Sequence, residues 1–179
     1  PIGVRPYHPE DGLRRVHWPA TARTGELQVR IYQPVTSQVM LACMNVSTRT
    51  SIWEGIDHDL LERLISITST IVYNSVQEGY SVGLISNGRL AHSDQSFNIL
   101  PGRSKNQLST LLQALAAVTA YTVSPFEPFL LKSLPKVPMG ATIVVVTSVV
   151  TPALMETLLM LRRYRAHTTV ISLDAAPPP

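Results

Sequence analysis

The densest group of side chains able to do chemistry stands near the start of the chain, where His8, Glu10, Asp11 and His17 lie close together. These are zinc-ligand types, but their spacing matches no compact zinc site, and Pro9, Gly12 and Pro19 predict a winding loop. Asp11 suits a turn that accepts backbone hydrogen bonds, with Arg14 or Arg15 pairing with an acid. His17 and Trp18 would then anchor the segment, Trp18 by burying on the order of 200 Å². Cys43 is the single cysteine, which excludes an intramolecular disulfide and favours a reducing compartment. Inside the apolar run Val39-Met40-Leu41-Ala42-Cys43-Met44 it reads as a small hydrophobe, not a nucleophile. Gly-x-Ser-x-Gly, Walker A, His-Glu-x-x-His and Cys-x-x-Cys motifs are all absent. A non-catalytic domain without a cofactor is the expectation, and a hydrolase centred on His8, Asp11 and His17 is the alternative it competes with.

Charge narrows the partners. The formal net charge is +3. Arg5, Arg14, Arg15, Arg23 and Arg30 outweigh Glu10, Asp11 and Glu26 in the opening segment, a bias that suits an acidic partner or a phosphate. A second alternative is therefore an arm that binds nucleic acid or phosphate through these arginines and Trp18, although so mild a charge does not argue for nucleic acid by itself. Charged residues make up 15% of the chain and hydrophobic ones 45%, against roughly 25% charged in a typical soluble domain. Some apolar or hydroxylic surface is thus left for a partner. No run approaches the roughly 20 apolar residues that span a bilayer, and no signal peptide is visible.

The elements that must position these residues alternate. Glu26 to Tyr32 reads as a strand closed by Pro34, and Val39 to Met44 as a strand buried on both faces of a parallel sheet. Asp59 and Glu62 have capping-box spacing ahead of Leu60, Leu64, Ile67 and Ile71, predicting a long helix that ends before Gly79. Tyr80 to Ser86 is the next strand, and Asn87-Gly88 predicts a hairpin turn into an antiparallel edge over Arg89 to His92. Ser104 and Gln107 repeat the capping-box spacing before a helix through Val118. Ser124-Pro125 begins a short third helix closed by Pro135. Ala141 to Thr147 must be a central strand, Thr151-Pro152 opens a helix ending in Arg162, Arg163 and Arg165, and Thr168 to Leu173 is the last strand. This order predicts an α/β fold, a doubly wound and mostly parallel sheet. Residues 1–36 form an arm or extra strand expected to pack on the body, 37–174 the α/β domain, and 175–179 a Pro-rich tail. Ligands of such sheets bind beyond the carboxyl ends of the strands, which singles out the loops after Met44, Ser86 and Thr147.

The opening run, Gly3-Val4-Arg5-Pro6-Tyr7-His8-Pro9-Glu10-Asp11-Gly12-Leu13-Arg14-Arg15-Val16-His17-Trp18 followed by Ala22-Arg23-Thr24-Gly25-Glu26-Leu27-Gln28-Val29-Arg30, resembles the Domain of Unknown Function 58 family. It departs from that family's pattern at Glu10, Pro19 and Tyr32-Gln33. The resemblance implies a von Willebrand factor A-like (Rossmann-like) domain and makes Arg5, Tyr7, Asp11, Arg14, Arg15, His17, Trp18 and Arg23 interaction or arm-docking residues. It also places the positions of a divalent-metal site at Asn45, Ser47, Arg49, Ser104 and Ser148. Both carboxylates of such a site are missing, so it reads as degenerate, leaving only neutral oxygens and water to hold a divalent cation. Arg49 is then a fixed charge for a partner's carboxylate. The resemblance further implies a protein partner, a MoxR-type AAA+ ATPase, and assembly or maturation work at the cytoplasmic side of a membrane. The chain starts inside the motif, so it is expected to be a soluble piece of a longer protein whose membrane helices lie upstream.

Overall fold

The computed structural model describes residues 3–31, 38–50, 55–91, 96–133, 135, 137–163 and 167–173. Tyr32, His92, Arg165 and the tail from Ala175 lie outside them, as do the side chains of Arg162 and Arg163. The chain divides into two compact units, Pro1–Thr36 and Ser37–Pro179.

In the first unit β1 (Gly3–Pro6) pairs antiparallel with β2 (Gln28–Ile31), joining Gly3 to Ile31 and Pro6 to Gln28. A winding loop was expected between them, but Trp18–Thr24 forms a helix, α1. Its start is explained by His17, whose Nδ1 accepts from Ala20 N at 3.1 Å, and by Pro19 in the first turn, where a missing N–H costs nothing. Gly25 ends it at φ 75°, the left-handed conformation a C-terminal cap favours. Thr21 Oγ1 accepts from Gln28 N at 3.0 Å and ties the helix to β2. Val16 and Val29 bridge one another and are buried. The expectation that Trp18 is buried fails: it is 64% exposed. Val16, before the His17 cap, turns inward, whereas Trp18 starts the helix on its exposed side.

The second unit is a Rossmann-like α/β domain. Its sheet has the order β5-β4-β3-β7-β8, with β6 attached to β4. Strands β3 (Val39–Met44), β4 (Ser81–Leu90), β7 (Thr142–Thr147) and β8 (His167–Ser172) are parallel, and β5 (Ser96–Gly102) is the antiparallel edge. Helices α2 (His58–Gln77) and α3 (Gln107–Ala117) share one face with Met40, Ala42, Met44, Val82 and Leu84. Helices α4 (Phe126–Ser133) and α5 (Pro152–Arg163) share the other with Leu41, Cys43, Ile85, Ile143 and Val145. Burial on both faces explains why the two central strands read as unbroken apolar runs.

Several local signals resolve differently from the sequence expectation. Helix α2 is capped by Asp57, which accepts from Leu60 N at 3.0 Å, and not by a box at Asp59. Its fully buried stripe is accordingly Leu61, Leu64, Thr68 and Val72, with Ile67 and Ile71 only partly buried. Helix α3 begins after Asn106 without a side-chain cap, and Gln107, its first residue, donates to Val82 O at 2.9 Å and Leu100 O at 3.1 Å, tying β4 to β5. That helix stops at Ala117, and Val118–Thr122, rich in β-branched residues, forms the unexpected strand β6.

Asn87-Gly88 makes no turn. Strand β4 runs through it with a register shift between Ser86 and Arg89. A Cβ on Gly88 would stand 2.6 Å from Val46 Cγ1 and 2.8 Å from Val118 Cγ2, so glycine is there for close approach. Beyond Ser86, β4 outruns β3; β5 still borders it at Arg89, and β6 pairs with it at Gly88 and Leu90. Strand β6 thus fills the slot that β3 vacates after Met44.

Candidate functional site

Strand order reverses between β3 and β7, since one leads through α2 to β4 and the other through α5 to β8 on the opposite side. The crevice beyond their carboxyl ends is the place where open α/β sheets bind ligands. Here it is a cavity of about 410 Å³.

Its floor is a closed hydrogen-bond network. Asn45 Nδ2 donates to Thr147 Oγ1 at 3.1 Å, and Asn45 Oδ1 accepts from Ser47 N and Asn87 Nδ2, each at 3.1 Å. Asn87 Oδ1 accepts from Val46 N at 3.1 Å. Thr147 Oγ1 donates to Val149 O at 2.8 Å, and Ser148 Oγ to Ser47 O at 2.8 Å. Asn45, Asn87, Thr147 and Ser148 are all buried. The Asn45–Thr147, Asn87–Asn45, Val46–Asn87 and Ser148–Ser47 bonds join the ends of adjacent strands, so a buried polar cluster that would be costly unsatisfied becomes a clamp on β3, β4 and β7. Asn45 Oδ1 already holds two donors, which leaves little capacity for a cation.

The wall comes from the turn between β6 and α4, where Thr122 to Glu127 line the cavity opposite Ser47, Arg49 and Thr50. Glu127 in the first turn of α4 accepts from Thr151 Oγ1 at 2.7 Å, while Thr151 Oγ1 itself accepts from Leu154 N at 3.0 Å and so caps α5. Thr151 is a cap, with its hydroxyl fixed at both ends. Arg49 lines the cavity too, but its guanidinium lies 3.4 Å from Asp57.

The structure therefore brings Asn45, Ser47, Arg49 and Ser148 to one end of the sheet. Ser104 is a correction. Gly102 of β5 pairs with Val82 at the start of β4, so Ser104, just after it, belongs to the amino end of the parallel strands and cannot contribute a hydroxyl to this crevice. Antiparallel β5 carries the chain back across the sheet. Asn87, Thr147, Glu127 and Thr151 are the site residues that sequence reasoning missed.

In the first unit Asp11 is indeed a turn residue, accepting from His8 N at 3.0 Å. Its cation is Arg5, through two N–H bonds of 2.7 Å, and not Arg14 or Arg15, which make no ion pair among the described residues. Those Arg5 bonds first, and the His8 N–H second, lower the Asp11 carboxyl to about 2. Asp11 is thus held by Arg5, and His17 Nδ1 by Ala20 N. Tyr7 N donates to Leu27 O at 2.8 Å beside the β1–β2 pair, whereas Arg23 is exposed on α1. No group of three or more His, Cys, Asp or Glu among the described residues is arranged to hold a metal ion.

Fold and crevice together define a Rossmann-like α/β domain with a polar cleft at its switch point. A family model described as a protein of unknown function, DUF58, matches residues 3–178, and the chain belongs to that family. It is the family that the opening motif resembles. No curated protein matches the chain.

Proposed function

We propose that this is a non-catalytic protein-interaction module of von Willebrand factor A-like type, which assists assembly or maturation of a complex together with a MoxR-type AAA+ ATPase. The observation that carries the reading is the switch-point crevice, whose floor of Asn45, Asn87, Thr147 and Ser148 is bonded internally and so serves as a rigid seat. The sheet order with one antiparallel edge supports the von Willebrand factor A-like comparison. The ATPase, and a place at the cytoplasmic side of a membrane reached through segments outside this chain, rest on the family resemblance. No helix of the described residues is long and apolar enough to cross a membrane. Calorimetry against a purified MoxR-type ATPase tests the reading. Thr122→Trp, which adds bulk at an exposed wall position, should weaken binding at least ~10-fold, equivalent to about 1.4 kcal/mol. Equal affinity of the variant would remove the crevice from the contact.

One observation favours a second reading. Leu13 and Trp18 are exposed, and Arg14, Arg15 and Arg23 beside them make no ion pair among the described residues. An exposed aromatic in a segment with exposed arginines suits a phosphate or single-stranded nucleic acid, and such binding would weaken steeply with salt. Salt-independent binding, or none, to a fluorescent oligonucleotide would dispose of it.

A further inference from the structure

The family resemblance supplies Arg49 as the crevice's charge and an acid as its ligand, but the arrangement of charges points the other way. Arg49 and Glu127 are the charged side chains among the described residues lining the cavity. Arg49 has Asp57 at 3.4 Å, so its charge is offset within its own loop. Glu127 has a neutral partner, the Thr151 hydroxyl at 2.7 Å, and no cation within ion-pair distance among the described residues. Among the described residues, the charge left over in the crevice is negative. It is also held in place, because Thr151 is fixed in turn by its cap on α5. Around it, Val123, Pro125 and Val149 offer apolar surface against which a methylene stem can lie while its charged head reaches the carboxylate.

We propose that the crevice receives a basic side chain, lysine or arginine, from a protein partner, and that Glu127 is the residue that recognises it. This rests on the reading of the crevice as a protein-contact surface. Its chemistry is the reverse of a metal-bridged or Arg49-bridged carboxylate. The hydroxyls of Ser47, Thr122 and Ser124 can accept the remaining protons of an ammonium group, which carries three donors.

The test is selection of a random peptide library on the 179-residue chain, run in parallel on Glu127→Gln, Arg49→Gln and Thr122→Trp. Glu127→Gln is chosen because the amide oxygen still accepts from Thr151, so charge is removed while the hydrogen bond that places the side chain is kept. The expected result is a shared lysine or arginine in the enriched peptides. Replacing that residue by norleucine, or Glu127 by Gln, should each raise the peptide Kd about 10-fold or more, and the two changes together should cost little beyond either one, as a direct pair requires. Peptides that share an acidic residue and lose affinity with Arg49→Gln would overturn the proposal and leave the crevice as a contact surface. Enriched peptides indifferent to all three variants, or no enrichment at all, would overturn both.

Discussion

Removing the Asn87 side chain measures what the floor of the crevice is worth. Asn87→Ala strands Val46 N–H, which is buried and bonded to Asn87 Oδ1 at 3.1 Å, and an orphaned buried donor costs about 1–3 kcal/mol. Asn45 Oδ1 loses the Asn87 amide but keeps Ser47 N, a loss of about 1 kcal/mol for one neutral hydrogen bond. The long bond to Ser124 O, at 3.4 Å, adds little. The sum is about 3 kcal/mol, which for a chain of this size lowers the melting midpoint by roughly 10 °C. Asn87→Asp sharpens the test, since it keeps an acceptor for Val46 N but sets a second oxygen against Asn45 Oδ1. Burial and that contact raise the new carboxyl's folded pKa above its unfolded value, so the folded state binds the proton more readily. The variant should therefore be weakest at neutral pH and recover as pH falls through the raised folded value. Thermal and urea unfolding of the three proteins at several pH values supply the numbers. A loss below about 1 kcal/mol for Asn87→Ala would mean that Val46 N–H finds another partner, and the clamp would not exist.

Asp11, held near 2 by Arg5 and His8 N–H, should titrate there by carboxyl NMR; its stabilisation is present above the unfolded value of about 4 and lost as pH falls toward 2, and a midpoint near 4 would contradict the pair. Gly88→Ala forces a Cβ to 2.6 Å from Val46 Cγ1 and 2.8 Å from Val118 Cγ2, which should cost about 1–3 kcal/mol of unfolding free energy by denaturant titration, whereas a neutral change would show that β4 relaxes freely there. Trp18→Ala, at a side chain 64% exposed, should change the unfolding free energy by no more than about 0.5 kcal/mol, and a cost near 3 kcal/mol would place the ring in a core. Titration calorimetry with Mg2+, Ca2+ and Mn2+ should reveal no binding tighter than about millimolar, because a hard cation wants several anionic oxygens and Glu127 is the one carboxylate among the described lining residues. Micromolar affinity would refute that account.

The central strands were legible because burial on both faces writes an unbroken apolar run, and Val39–Met44 and Thr142–Thr147 carry it plainly. The switch-point loops followed from that, and the family resemblance placed Asn45, Ser47 and Ser148 within them. Asn87-Gly88 was not legible, since the same dipeptide serves a tight turn and a buried strand where another backbone approaches; only Val46 and Val118, distant in sequence, decide between them. Ser104 misled for a topological reason: its distance from the crevice depends on the direction of β5, whose entry turn was misplaced with the hairpin. Glu127 was visible only as an acid in a helix first turn, a position that suits the helix dipole, and nothing local announces that β6 carries it to the crevice. Trp18 reads as a core residue on its size, but His17 and Pro19 beside it start a helix and leave its ring on the exposed side.

The overrun of β4 past β3 has a kinetic consequence. One strand carries both the floor, through Asn87, and the wall, through its pairing with β6, and Val123 N donates to Asn87 O at 2.9 Å where the two meet. A seat whose floor is bonded across β3, β4 and β7 and whose wall is paired to β4 has little entropy left to lose when a partner arrives. Association should then be a simple second-order encounter, with rates linear in concentration and in the ordinary range of about 10⁵–10⁷ M⁻¹s⁻¹, and differences among partners should be expressed in how slowly they leave.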